Sequence, residues 1–581
     1  MDIFNHFKQL IVQIVQNIAK NDDIAINCDN ITCEPCKNPD HGDIATNAAM
    51  VLAKQFKQNP RNLAQNIVDQ LSKSTDIKKI DIAGPGFINI KINEDFLYNF
   101  AIKFLQQEKF IYPNIGKGEK VNLEYASPNP TGPMHIGHTR GAIFGDILAN
   151  LLQKCGYDVT KEFYINDAGV QITTLVDSVY IRYCQQLGQD IDLQEGLYPG
   201  EYLIDVAKQV VAKFGDDLKD KKSAEYLPIL RQFVVDQMLD IIKSDLAKLA
   251  IKHDNYFSEK KNLHDSNKIA QIINQLQSQD LIYEGTIEPP KGKALENHQE
   301  KTQLLFRSSN FGDDMDRVVQ KADKSYTYFA ADLAYIKDKF DRGATKIIMP
   351  LGFDHAGYVK RFCAATKAIT HDKAQAKIIL CQLVKFSEND VALKMSKRAG
   401  NFICASDVVD KIGADVIRFI MLTRKNDAPF DFDLAKVIEQ SKENPVFYVQ
   451  YAHARCCSVL RNAKDQINDL EISDKDYNLE IFRLLKDQNE INLIKKIAQF
   501  QRIITTSCLH FEPHRIAFYL QELAASFHSL FNLGSTNKNL RFINDNDINL
   551  TKARIILVLL VKKTIHLALE IFNIVPLEEM K

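Results

Sequence analysis

Three prolines and a glycine within six residues, Pro128, Pro130, Gly132 and Pro133, separate two stretches of different periodicity. Residues 121–125 alternate apolar and polar as a strand does, whereas residues 139–152 carry helical periodicity through Ile143, Ile147, Leu148 and Leu151. The run between them cannot be regular. A strand, a loop and a helix in that order open an α/β unit with a parallel sheet, where nucleotides bind at the carboxyl ends of the strands. The loop ends in His135-Ile136-Gly137-His138, so two imidazoles one turn apart share a face at a helix start. Backbone donors and the positive helix end there favour phosphate, and Gly137 leaves room for a flat ligand. Two ordinary helix N-terminal histidines are the alternative, and the strand–loop–helix context argues against it.

Residues 124–141, Glu-Tyr-Ala-Ser-Pro-Asn-Pro-Thr-Gly-Pro-Met-His-Ile-Gly-His-Thr-Arg-Gly, resemble the ATP-site segment of class I aminoacyl-tRNA synthetases. In this longer form they are similar to the arginyl-tRNA synthetase family. The resemblance implies an α/β Rossmann-like catalytic domain with a parallel sheet, an α+β N-terminal additional domain and an all-α C-terminal anticodon-binding bundle.

A chain of 581 residues is too long for one core, and about three to four domains are expected. With 45% hydrophobic and 25% charged residues the composition is that of a globular protein. No apolar stretch reaches membrane-spanning length, and residues 1–20 form an amphipathic helix without signal or transit character. A cytoplasmic protein without membrane contact is expected. The 73 basic and 74 acidic side chains leave a net charge of −1, so a nucleic-acid site has to be a local patch. Eleven scattered cysteines suit a reducing compartment. Cys28, Cys33, Cys36 and His41 have a spacing compatible with zinc, but a second Cys-x-x-Cys is missing. The resemblance accounts for His41-Gly42-Asp43 as part of a His-Gly-Asp-x-Ala-Thr-Asn stretch, so no protein-bound zinc and no metal ligands are expected.

Along the chain, residues 1–112 read as a compact unit: an opening helix, helices at 44–57 and 63–71, and period-two apolar positions at 80–90 broken by Gly84-Pro85-Gly86. The resemblance makes this the domain that contacts the tRNA elbow. Residues 113–392 are expected to form the catalytic domain, with strands at 121–125, 158–165, 344–350 and 376–384 and a helix-rich insertion at about 187–302 that includes Tyr198-Pro199-Gly200-Glu201-Tyr202-Leu203. Residues 393–433 would hold a lysine loop and connecting helices. Residues 434–581 read as an α-bundle, in which the aromatic residues and Arg455 of residues 444–455 suit stacking on splayed anticodon bases. The bland reading, bundle core, is the better one for most of Phe447, Tyr448 and Tyr451 individually.

Residues 393–401, Leu-Lys-Met-Ser-Lys-Arg-Ala-Gly-Asn, bring three cations to one loop. Lys394, Lys397 and Arg398 are suited to stabilising the charge that develops on pyrophosphate. A solvated basic loop is the alternative. The segment is similar to the class I Lys-Met-Ser-Lys-Ser loop and departs from it at Arg398, which blurs which cation meets which phosphate. In residues 326–335, Tyr328 and Asp332 are four apart on a helix and are expected to project together. A phenol beside a carboxylate suits a guanidinium, against the alternative of an aromatic core face with a solvated Asp.

The resemblance implies that Tyr328 and Asp332 hold the arginine side chain, joined by Glu259. It implies that Asn129 meets the α-amino or carboxylate end, with Ser127 and Glu124 nearby. His135, His138, Pro128 and Gly137, with Met395 and Ser396, would bind ATP. Asp354 and His355, after another strand, would reach the ribose or the substrate amine; a metal ligand or a simple turn is the other reading of that pair. The implied partners are ATP with Mg²⁺ as substrate, L-arginine and tRNA(Arg), the implied state is a monomer, and activation of arginine should need bound tRNA. Another class I synthetase, a nucleotidylyltransferase and a non-catalytic tRNA-binding relative are the competing readings.

Overall fold

The computed structural model describes residues 2–286, 302–389, 391–392, 403–439, 444–467 and 471–580. Its N-terminal unit comprises α1 (Ile3–Asn21), β1 (Cys33–Pro35), β2 (Ile44–Thr46), α2 (Ala48–Phe56), α3 (Pro60–Leu71), β3 (Ile77–Ala83), β4 (Phe87–Ile92) and α4 (Glu94–Gln106). The strands form an antiparallel sheet in the order β1-β2-β4-β3. Helix α1 begins where the Asp2 carboxylate caps the Phe4 and Asn5 amides. It buries Phe4, Phe7, Ile11 and Val15, spaced three or four apart, against Leu63, Ile67, Ile88 and Ile90. The helix expected at 44–57 is shorter, because Ile44-Ala45-Thr46 pairs with β4 as a strand. That pairing is tertiary, and no local pattern announces it.

The central unit runs through β5 (Lys120–Glu124), α5 (Thr139–Lys154), β6 (Asp158–Ile165), α6 (Val170–Gln186), α7 (Tyr202–Phe214), α8 (Ser223–Lys248), β7 (Asn255–Ser258), α9 (Lys268–Ser278), β8 (Ile282–Gly285), β9 (Gln303–Phe306), β10 (Arg317–Gln320), α10 (Tyr328–Asp341), β11 (Lys346–Gly352), α11 (Val359–Thr370) and β12 (Gln375–Cys381). Five strands make one parallel sheet in the order β12-β11-β5-β6-β7. The central strand is buried, with Val121 and Leu123 at 1% and 0% exposure. β7 falls inside the stretch expected to be an insertion, yet Asn255–Ser258 pairs with Glu162–Ile165 as the edge strand of the sheet. Within 187–254 the described helices are α7 and α8.

Beyond β12 lie β13 (Val384–Glu388), β14 (Val391–Ala392), α12 (Ala405–Ile412), α13 (Ala414–Ile420), β15 (Phe430–Asp433) and α14 (Leu434–Ile438). The expectation of a purely helical remainder is corrected here: β13 pairs with β14 and with β15 in a small sheet. The bundle follows as α15 (Pro445–Gln466), α16 (Leu479–Phe482), α17 (Gln488–Ala498), α18 (Phe500–His510), α19 (His514–Thr536) and α20 (Ile548–Ile571). Among the described residues, no helix is long and apolar enough to cross a membrane.

The N-terminal unit is docked on the bundle by specific polar contacts. Asp43 pairs with Lys495 at 2.7 Å, and the Tyr98 hydroxyl donates to the Leu485 carbonyl at 2.7 Å. Lys563 of α20 donates to the carbonyls of Phe104, Leu105 and Gln107 at 2.9, 3.2 and 2.6 Å, closing the C-terminal end of α4.

Candidate active site

The groups that can do chemistry gather at the carboxyl ends of the parallel strands: Glu124 on β5, Asn166 after β6, Glu259 after β7 and residues 353–358 after β11. The loop after β5 is tightly held. Ser127 Oγ accepts from the Tyr164 amide at 2.9 Å, and the Tyr202 hydroxyl donates to the Thr131 carbonyl at 2.7 Å. A side chain at Gly132, which has φ +151°, would lie 2.7 Å from the Tyr202 ring. The Met134 amide donates to Asp245 of α8 at 2.8 Å.

His138 stands at the N-cap position of α5 without a side-chain capping bond, and the rings of His135 and His138 stack with centroids 3.6 Å apart. A methyl group at Gly137 would come within 2.8 Å of the His135 ring. The space over Gly137 expected for a flat ligand is therefore taken by His135 here. The same strip is tied to a distant segment: His135 bridges Cys404, the Ile136 amide donates to the Ile403 carbonyl at 3.0 Å, and the Ala405 amide donates to the Met134 carbonyl at 2.8 Å. Lys394, Met395, Ser396, Lys397 and Arg398 lie outside the described residues. Arg140, 2% exposed, donates to the carbonyls of Gln382, Lys425 and Ala428 and so fixes α5 to the connecting region.

Beside this loop is a pocket of negative charge. Tyr164 hydrogen-bonds Glu259, and the Asp332 carboxylate accepts from the Tyr358 hydroxyl. Burial raises the Asp332 carboxyl; the Tyr358 hydrogen bond and Arg361 oppose the shift, Glu124 and Glu259 add to it, and it stands at about 7. Glu259 is 5% exposed, with His264 3.2 Å away. Glu124 already has an internal cation, Lys339, at 2.6 Å with 0% side-chain exposure. Glu162, paired with Arg342 at 2.7 Å and bonded by Tyr335, is pushed up by burial but held at about 2 by Lys339 and Arg342.

Tyr328, expected beside Asp332, is the first residue of α10, one turn before it, and is 78% exposed, while a second phenol, that of Tyr358, bears on the Asp332 carboxyl. Side chains lean toward a helix's N-terminus, so at its first residue Tyr328 passes beyond the packed body of the helix. Asn129 sits in a chain of amides, accepting from Asn166 at 3.2 Å and donating to Gln171 at 2.8 Å. Pro128 is half-buried in the same loop. Asp354 and His355 are exposed on a short turn after β11, 3.7 Å apart. Asn166, Tyr164, Tyr358 and Lys339 were not singled out from sequence; the polar Asn166-Asp167 pair directly after a strand was the available signal.

Cys33 and Cys36 are both pushed up to about 11, chiefly by burial, so each thiol keeps its proton. Among the described residues no group of three or more His, Cys, Asp or Glu side chains is placed to hold a metal ion.

A parallel sheet with a stacked histidine pair on its central βα loop is the core of a class I aminoacyl-tRNA synthetase. The family model for tRNA synthetases class I (R), catalytic domain, matches residues 102–455. The arginyl tRNA synthetase N terminal domain matches 5–92 and the DALR anticodon binding domain 449–580. The chain belongs to the arginyl-tRNA synthetase family. It is 47% identical to the arginine–tRNA ligase of Brucella canis over 586 residues, covering 100% of both. A solved putative arginyl tRNA synthetase from Campylobacter jejuni is 34% identical with a TM-score of 0.71, covering 84% of this chain and 100% of that one. Arginyl-tRNA synthetase of Thermus thermophilus shares the fold at 17% identity, with a TM-score of 0.73 over 99% of this chain and 100% of that one.

Proposed function

We propose that this chain attaches L-arginine to tRNA(Arg) in two steps. A carboxylate oxygen of arginine attacks the α-phosphate of Mg-ATP, forming arginyl-adenylate as pyrophosphate leaves. The 2′-hydroxyl of the terminal adenosine then attacks the arginyl carbonyl, and AMP leaves. Both steps need positioning and charge stabilisation rather than a covalent enzyme intermediate.

The observation that carries this reading is the convergence of Glu124, Glu259 and Asp332 around Tyr164 and Tyr358, with Asp332 raised to about 7. Lys339 and Arg361 do not fully offset the three carboxylates of this pocket, and a guanidinium adds positive charge as a planar fork matching two carboxylates. Lysine offers a single point charge there and leaves acceptors unpaired, a mismatch that can discriminate by about 10⁴ without editing.

In this reading Asn129 takes the α-amino or carboxylate end, Ser127 fixes the loop beneath it, and Tyr328, one turn before Asp332 on α10, holds the arginine side chain with it. His135, His138, Pro128 and Gly137 take ATP, and Asp354 and His355 take the ribose or the substrate amine. Lys394, Lys397 and Arg398, with Met395 and Ser396, meet the phosphates; the bonds of Ile403 and Ala405 to Ile136 and Met134 support this by keeping the end of that segment beside the histidines. The domains divide as 1–112 for the tRNA elbow, 113–392 for catalysis, 393–433 for the lysine loop and connection, and 434–581 for the anticodon. The protein works as a cytoplasmic monomer, and bound tRNA is required before arginine is activated.

Aminoacylation of total tRNA with each amino acid in turn tests the reading, and arginine alone should be charged. In arginine-dependent ATP–pyrophosphate exchange with tRNA present, an Asp332→Ala variant with unchanged arginine affinity would refute the pocket.

A further inference from the structure

Asp167 follows the residue whose amide meets Asn129, and it is 4% exposed. Both of its oxygens reach across to the next strand. Oδ2 accepts from the Ser258 hydroxyl at 2.6 Å, and Oδ1 accepts from the Lys260 amide at 2.8 Å. Those two residues flank Glu259. Ser258 Oγ also accepts from the Lys261 amide at 3.0 Å, and Lys260 opens a π-helical turn that runs to His264. Such turns are rare and collect at functional sites. A buried carboxylate is unfavourable unless short hydrogen bonds replace its water, and here both come from the backbone and side chain that carry Glu259.

We propose that Asp167 is a positioning residue for amino-acid recognition, clamping the chain on both sides of Glu259 and so fixing where that carboxylate stands. Because Asn166 bonds Asn129, the dipeptide Asn166-Asp167 reaches both ends of the pocket at once. One side chain holds the group facing the amino-acid backbone, and the other holds the group facing the cationic head. The dipeptide sets the reach between them, which selects a planar cation at arginine's length. This rests on the arginine-pocket reading of Glu259 and Asn129.

The test is arginine-dependent ATP–pyrophosphate exchange by the full chain with tRNA and Mg-ATP, measuring KM for arginine and for ATP, and the relative use of homoarginine, one methylene longer. Glu259→Ala is the reference. Asp167→Ala should raise the arginine KM about tenfold or more, leave the ATP KM within about twofold, and narrow the preference over homoarginine. Asp167→Asn, which can still accept from Lys260 and donate to Ser258, should return the arginine KM to within about threefold of wild type. An unchanged arginine KM in Asp167→Ala, with a raised one in Glu259→Ala, overturns the clamp and leaves the pocket standing. An unchanged arginine KM in Glu259→Ala refutes the pocket reading and the clamp with it. Where Asp167→Ala is unstable, Ser258→Ala removes one anchor without added bulk: a severalfold rise in arginine KM at constant ATP KM supports the clamp, and no change overturns it.

Discussion

Arg418 and Asp146 form an ion pair at 2.7 Å with side-chain exposures of 0% and 2%. Asp146 lies in α5, the helix that begins at the histidine pair, and also accepts from Tyr125 and Lys161. Arg418 in turn donates to the carbonyls of Leu249, after α8, and Phe572, after α20, at 2.8 and 2.6 Å. One guanidinium thus joins the helix behind the histidine pair, the inserted helices and the end of the bundle.

Removing one member of such a pair leaves a buried charge unmatched. Arg418→Met should lower stability by about 3–5 kcal/mol in urea denaturation. A loss below about 1 kcal/mol would mean that the network is dispensable.

Arginine binding should depend on pH through Asp332. With its carboxyl at about 7 in the empty pocket, binding of a guanidinium must expel a proton at lower pH. The arginine Kd should rise about tenfold per unit well below that value and level off by about pH 8. Titration calorimetry at several pH values should show this slope in wild type and lose it in Asp332→Asn. The linkage sign follows: because the folded value is raised, the associated stability is present at acid pH and lost as pH climbs through about 7. A flat arginine profile in wild type would contradict the assignment.

Gly137→Ala places a methyl group where the His135 ring sits, 2.8 Å away. The ring must move, so adenylate formation should fall by about tenfold or more while the melting temperature changes little. Retained exchange activity would show that the observed ring stacking is not needed for turnover.

Lys563 carries the end of α4 on its ammonium, and burial lowers its pKa. Lys563→Met should destabilise by about 1–3 kcal/mol through three orphaned carbonyls. It should also increase proteolytic cleavage near residue 107, read by mass spectrometry; an unchanged cleavage pattern would assign the docking to Asp43–Lys495 instead.

What could be read from sequence was what local periodicity and chain punctuation encode. The strand at 158–165 and the start of α5 at Thr139 stand where expected, because each pattern is bounded by glycine or by the proline loop. β7 was missed: its four residues, Asn-Tyr-Phe-Ser, are too short to show alternation, and only pairing with β6 makes them a strand. β15, Phe-Asp-Phe-Asp, did alternate but lay in a stretch read as helical. In the pocket, i,i+4 spacing pointed to Tyr328 for Asp332, and no local pattern announced that Tyr358, from the turn after β11, also bears on that carboxyl.

Tyr202 of α7 and Asp245 of α8 hold Thr131 and Met134 directly. The inserted helices are therefore the outer wall of the loop that ends in the histidine pair, and the line between scaffold and embellishment runs through the middle of a single hydrogen-bonded turn. A minimal enzyme made by excising residues 187–254 would keep the whole parallel sheet and both histidines, yet leave the segment that aims them without its restraint. Size reduction of this enzyme has to start elsewhere.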